Sequence, residues 1–337
     1  MTRRIRFYSV FVAISLLLCA SPPVSSGADK PPVREDPKVE ITPRAKRAGE
    51  APPDVPRGDI RIQSTLVLIP VTVTDPLNRF VTGLDRENFR LFEDKSEQKV
   101  THFASEDAPL SVGLVFDVSG SMGTKLDKSR QAAAQFFKTA NPEDEFFLIE
   151  FNDRPELVVG FTSRLEEIQN RLTFTQSKGR TALLDAVYLA LNTMKKGKKP
   201  RKALLIISDG GDNSSRYTES EIKNRVREAD VQIYAIGIYE PMASRGRTPE
   251  EMAGPSLLSE VAEQTGGRHF AVDNPNELPD VAAKIGVELR NQYLLGYTPT
   301  NLQRDGKYRK VQVKLVQPRG LPPLRASWRL GYYAPTQ

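Results

Sequence analysis

Apolar positions change their period several times along the chain, and those changes mark out its parts. Val112-Gly113-Leu114-Val115-Phe116 runs without a polar interruption, as a strand covered on both faces requires. Ala203-Leu204-Leu205-Ile206-Ile207 repeats the pattern, and Glu145–Phe151 and Val231–Ile238 approach it. Between these runs the spacing turns helical over Lys125–Thr139, with Ala132, Ala133, Phe136 and Phe137 on one side. Helical patterning returns over Ala182–Met194, Glu219–Ala229, Ser256–Gln264 and Glu277–Arg290, the third of these stopped by Thr265-Gly266-Gly267. His269-Phe270-Ala271-Val272 reads as a further short strand. Strands alternating with helices predict an α/β module over 108–290, a doubly wound and mainly parallel sheet with helices on both faces.

The flanks alternate with a period of two instead. In segment 60–107, Ile60–Thr74 is rich in Val, Ile, Leu and Thr, and Asp75-Pro76-Leu77-Asn78 reads as a turn. Phe89–Glu93 and Lys99–Phe103 are further predicted strands. Pro70 has no N–H to give a ladder, so its strand must be an edge or bulged there. Segment 291–335 carries Gln292–Tyr297, Tyr308–Leu315 and Leu324–Tyr333. Neither flank is large enough for a comfortable core of its own. They are therefore expected to pack on each other as one small β-sandwich with the α/β module inserted; separate β extensions are the competing arrangement.

The first 28 residues read as a signal peptide. Arg3, Arg4 and Arg6 precede an uncharged, largely apolar run from Phe7 to Ala20, and Ser26-Gly27-Ala28 suits cleavage. The run is shorter than the ~20 residues of a spanning helix, so a retained N-terminal anchor is the lesser alternative. Cys19 is the only cysteine. A lipidated cysteine wants a small residue before it, and Leu18 is not small. A chain cleaved after Ala28 has no disulfide, which fits an exported bacterial protein, periplasmic, secreted or envelope-associated. Residues 29–59 follow as a Pro-rich disordered tether; nine of the 25 prolines fall between 22 and 59.

Charge adds one exclusion. The net +6 includes the three signal arginines, so a chain from Asp29 carries +3. The one dense basic run, Lys195–Lys202, reads as cations at a helix end and loop, so nothing calls for nucleic acid.

Chemistry concentrates where two buried strands end. Asp117-Val118-Ser119-Gly120-Ser121 directly follows the strand at 112–116, and Asp209 follows the strand at 203–207. Ligands in open α/β sheets bind beyond the carboxyl ends of the strands. Two carboxylates brought together there need a cation or a proton. Ser119, Ser121 and Thr181, the last in Gly179-Arg180-Thr181, add neutral oxygens. An all-oxygen set without thiolate or histidine suits Mg²⁺, with Mn²⁺ or Ca²⁺ as substitutes, and disfavours zinc. Two carboxylates only just balance a dication. If one binds through water the metal stays electrophilic, and an open position accepts a partner's carboxylate. Asp212 and Asp185 lie near enough in sequence to be supporting residues; Asp212 and Asn213 otherwise read as turn residues.

Asp117-x-Ser119-x-Ser121, Thr181 and Asp209, in this order and in these contexts, resemble the metal-ion-dependent adhesion site of von Willebrand factor type A domains. The resemblance covers about 108–290. It implies that Ser119, Ser121 and Thr181 are direct or near-direct ligands, that one aspartate acts through water, and that the module binds a protein partner through the ion. The flanks resemble those of bacterial proteins described only as related to this family.

A metal-dependent hydrolase of the cell envelope is the competing class. Against it, His102 and His269 sit in strand-like segments outside any His-Glu-x-x-His motif, and Ser119 and Ser121 have no evident histidine base. No phosphate-binding Walker loop occurs. A scaffold with a vestigial site is the third reading, and the full set of five residues argues against it. The sequence thus favours a non-enzymatic, adhesion-type binding module.

Overall fold

Residues 66–105, 107–239, 249–318 and 320–336 are described by a computed structural model of the protein. The expected signal peptide, Cys19, the tether and the first residues of the strand expected from Ile60 lie outside them.

The first segment forms β1 (Val67–Thr74), β2 (Phe89–Glu93), β3 (Ser96–Gln98) and β4 (His102–Ala104). The single strand expected at Lys99–Phe103 is replaced by β3 and β4. The chain turns at Asp94 and Lys95, both at positive φ, to pair β2 with β3 as a tight hairpin. It then crosses to the other sheet before β4.

The central module follows as β5 (Leu110–Asp117), α1 (Leu126–Phe137), β6 (Glu145–Phe151), β7 (Pro155–Thr162), α2 (Leu165–Phe174), α3 (Leu183–Met194) and β8 (Arg201–Ser208). It continues as α4 (Glu219–Glu228), β9 (Gln232–Ile238), α5 (Pro249–Gln264), β10 (His269–Val272) and α6 (Leu278–Arg290). Six strands lie in the order β10-β9-β8-β5-β6-β7. All neighbours are parallel except β7, which returns antiparallel on β6.

Strand alternation divides the apolar residues between two faces. Val112, Leu114 and Phe116 of β5, with Leu205 and Ile207 of β8, share a core with Phe136 of α1, Leu172 of α2 and Ile285 of α6. Val115, Leu204 and Ile206 face α3, α4 and α5. Both faces are covered, which is why the runs read as continuous in sequence. The sequence pattern missed β7 and α2. β7 is an edge strand with no fully buried residue, and α2 buries only Ile168 and Leu172, so neither has a strong period.

The last segment forms β11 (Tyr293–Tyr297), β12 (Tyr308–Leu315), β13 (Arg325–Trp328) and β14 (Gly331–Tyr333). The strand expected over Leu324–Tyr333 is two strands in different sheets. Gly331 sits so close to the β12 backbone that a Cβ would lie 2.3 Å from the Arg309 carbonyl oxygen, and this lets the chain cross over. The sheets, β13-β1-β11-β4 and β14-β12-β2-β3, mix strands from before and after the α/β module. They share one core, including Ile69, Val71, Leu91, Tyr293, Leu295 and Val313. Pro70 faces Leu294 of β11, while β13 pairs only from Val71 onward, so Pro70 occupies a locally unpaired edge. Among the described residues no helix is long and apolar enough to cross a membrane.

Candidate metal-binding site

β5 and β8 are neighbours with Phe116 opposite Ile207, so Asp117 and the Ser208-Asp209 pair leave the sheet side by side. Asp117 is fully buried. Its Oδ1 accepts the Ser119 N–H at 2.8 Å, and its Oδ2 accepts the Ser208 hydroxyl at 2.6 Å. Burial, and then the nearby Asp209 carboxylate, push the Asp117 carboxyl up to about 7, against the pull of the bonds from Ser119 and Ser208. Asp209 is buried too, and Lys125 Nζ lies 3.1 Å from its Oδ2 with the lysine equally enclosed.

After Asp117 the chain forms a 3-10 turn, Gly120–Lys125, with Ser119 at its start. The Ser119 and Ser121 hydroxyl oxygens are 3.0 Å apart, Ser119 buried and Ser121 open to solvent. The loop carrying Thr181 is fastened to this turn. Gly120 N donates to Gly179 O at 2.9 Å, and Lys178 N to Val118 O at 2.8 Å. Gly179 has φ +81°, and a Cβ there would meet Asp153 Oδ2 at 2.4 Å; Asp153 also accepts the Arg180 N–H at 2.9 Å. Thr181 itself is clamped by Asn213, whose Oδ1 takes the Thr181 N–H at 2.9 Å and whose N–H gives to Thr181 O at 3.0 Å.

The five sequence-predicted residues therefore lie on three loops joined to one another: 117–121, 178–182 and 208–214. The predicted supporting residues act on the third loop. Asp212 Oδ1 accepts N–H groups of Ser214 and Ser215, and burial raises its carboxyl above the ordinary value. Asp185 accepts the N–H groups of Arg216 and Tyr217 and the Arg216 guanidinium, holding the loop to the start of α3. Sequence reasoning missed Ser208 and Lys125 and left Asn213 as a turn residue. A lysine in the otherwise small and apolar stretch Ser121–Leu126 was the available signal for Lys125.

Among the described residues no three His, Cys, Asp or Glu side chains gather as a metal cluster. The candidate donors are two carboxylates and three hydroxyls. Such a set lies outside any pattern built on acids and histidines alone, yet it suits a hard, water-retaining cation. Asp117 gives a direct sign of fit: its carboxyl is buried and is raised by that burial and by the neighbouring Asp209 carboxylate, while the buried Lys125 ammonium pairs with Asp209. Of the two histidines, His269 Nε2 lies 3.1 Å from Tyr239 OH, and His102 is on the exposed side of β4.

This fold, with these loops at its carboxyl edge, is that of a von Willebrand factor type A domain. The family model of that description matches residues 112–211, a range containing all five candidate donors, and the chain carries such a domain. Inter alpha-trypsin inhibitor heavy chain 4 of Mus musculus is 31% identical over 146 residues, covering 39% of this chain and 16% of the relative. An uncharacterised protein of Borreliella burgdorferi is 24% identical over 200 residues, covering 53% of this chain and 58% of that protein. The chain thus spans less than two thirds of either relative. Among solved structures, BatB from Bacteroides thetaiotaomicron aligns at 19% identity with a TM-score of 0.43, covering 53% of this chain and 98% of that one.

Proposed function

We propose that the protein is an exported, non-enzymatic binding module that grips an acidic residue of a protein partner through a divalent cation, Mg²⁺ in the first instance. The observation that carries this reading is the buried Asp117–Asp209 pair beside the Ser119 and Ser121 hydroxyls, one of which opens to solvent. Asp117, Ser119, Ser121, Thr181 and Asp209 would hold the ion. Bound there, it supplies an electrophilic position for a carboxylate. Ser208 and Ser119 N–H orient Asp117, and Asn213 orients Thr181. Beside the site a depression of about 300 Å³ is lined in part by Val118, Arg154, Arg171, Phe174 and Lys178. Phe174 is 81% exposed and offers a partner apolar contact next to cations. The export part of the reading rests on the basic and apolar segment at Arg3–Ala20.

Binding is favoured over hydrolysis because the Ser119 hydroxyl is partnered by Ser121 and the half-buried His269 by Tyr239, so neither is set up as nucleophile or base. The test is capture of a protein partner from envelope extract with Mg²⁺, with excess chelator, and with Asp117→Ala whose circular dichroism matches the parent. Capture that depends on both Mg²⁺ and Asp117 is expected. Capture that survives chelator and substitution sinks the metal mechanism, and Mn²⁺-dependent turnover of peptide or phosphoester substrates would favour the hydrolase instead.

A further inference from the structure

Lys125 changes the charge count of the site. It is 4% exposed, it closes the 3-10 turn that begins at Ser119, and its ammonium is 3.1 Å from Asp209 Oδ2. A buried lysine is costly unless it is paired, and this one is paired with a candidate metal donor rather than with a carboxylate elsewhere. Ser129 Oγ donates to the Lys125 carbonyl oxygen at 3.0 Å, which anchors its backbone to the first turn of α1. The ammonium is therefore a buried part of the candidate site, held at Asp209.

We infer that Lys125 is the residue that keeps the ion-loaded site electrophilic. The inference rests on the cation-site reading given under Proposed function. Without Lys125, two carboxylates and one dication sum to zero, and a neutral site has little pull on an anionic side chain. With Lys125 bound to Asp209, the protein contributes a single net negative charge. The loaded site then carries one net positive charge in a buried, weakly screened setting. One incoming carboxylate neutralises it, which selects for a monoanionic acidic side chain. The same ammonium opposes the dication, so the site gives up intrinsic metal affinity and makes ion and partner carboxylate bind cooperatively. Before the ion arrives, Lys125 also compensates Asp209.

The experiment uses the full chain with Mn²⁺ as the ion, followed by electron paramagnetic resonance, and acetate as the carboxylate probe. In the parent protein, millimolar acetate is expected to tighten Mn²⁺ binding severalfold; no effect of acetate overturns the proposal. Lys125→Gln keeps a hydrogen-bonding group at Asp209 and removes the charge. It is expected to bind Mn²⁺ about tenfold tighter or more, because a like charge next to the ion is gone. It is also expected to lose the acetate effect, while Lys125→Arg retains both parental values. A merely structural lysine would weaken both kinds of binding together, and Lys125→Gln that binds Mn²⁺ no tighter than the parent overturns the inference. The thermal shift induced by Mn²⁺ is the second readout, expected to be larger in Lys125→Gln than in the parent. Failure of the underlying reading looks different: the parent takes up no stoichiometric Mn²⁺, and Asp117→Ala behaves as the parent does.

Discussion

Asn213 and Thr181 are tied by two hydrogen bonds that run in opposite directions, Thr181 N–H to Asn213 Oδ1 at 2.9 Å and Asn213 N–H to Thr181 O at 3.0 Å. The pair joins the loop after β8 to the loop before α3, and it fixes the backbone from which the Thr181 hydroxyl projects. Asn213→Ala removes the first bond but no candidate donor. Groups that orient metal-binding side chains are worth about 10–100-fold in affinity. Mg²⁺ affinity measured by calorimetry is accordingly expected to fall by about that factor, with the far-ultraviolet spectrum unchanged. An unaltered affinity would show that Thr181 is not part of the donor set.

Asp117 gives the site a pH dependence whose sign follows from its environment. Its carboxyl is raised from 3.8 to about 7 in the folded, metal-free protein. The folded state therefore holds a proton that the unfolded chain has already released. The associated stability is fully present below pH 3.8 and is lost as pH rises through about 7. A divalent cation competes with that proton, so apparent Mg²⁺ affinity should fall by roughly tenfold for each pH unit below about 7 and level off above it. Titrations at several pH values between 5.5 and 8 check this, and Asp117→Asn should flatten the metal-free stability profile over the same window.

Gly113 lies in the middle of the strand that delivers Asp117. A Cβ there would stand 2.2 Å from Phe147 Cζ and 2.5 Å from Leu204 Cδ2. The side chains in question are packed in the core beneath α3, so they have little room to retreat. Gly113→Ala should cost about 1–3 kcal/mol in denaturant unfolding. A change within error would mean that β5 is less tightly held than its neighbours imply.

Arg201 sits at the junction between the parallel sheet and the flanking β strands. Its guanidinium donates to Leu289 O and to Gln292 Oε1, and Gln292 Nε2 donates to Thr72 Oγ1 and Tyr234 OH, both at 3.1 Å. Burial holds the Arg201 guanidinium below its ordinary range without removing its charge at neutral pH. Arg201→Met leaves two buried oxygens without this donor, and a loss of about 2–3 kcal/mol is expected. The double-mutant cycle with Gln292→Leu should show clear coupling, since the residues share one network; strictly additive losses would contradict that.

Much of the architecture could be read from periodicity. Strands β5, β8 and β9 are buried on both faces, so their apolar runs are continuous, and α1, α3, α4 and α6 carry one apolar side each. Where burial is partial the pattern fades, as in β7 and α2. Where one apolar stretch serves two sheets, as over 325–333, periodicity cannot report the crossing, because Gly331 permits it through a tertiary contact with Arg309.

The candidate site divides in the same way. By itself the sequence determined which oxygen-bearing residues stand at the ends of strands and at the start of a helix: Asp117, Ser119, Ser121, Thr181 and Asp209 each follow a local signal that needs no knowledge of distant neighbours. The tertiary structure alone decided their electrostatics. Ser208 caps Asp117 because β5 and β8 are adjacent in register, and Asn213 clamps Thr181 across two loops. Lys125 meets Asp209 across 84 positions of sequence. A pattern of residue types can mark donors, since donor chemistry is a property of each side chain. It cannot mark charge balance, which depends on which buried groups the fold brings within a few ångströms of one another.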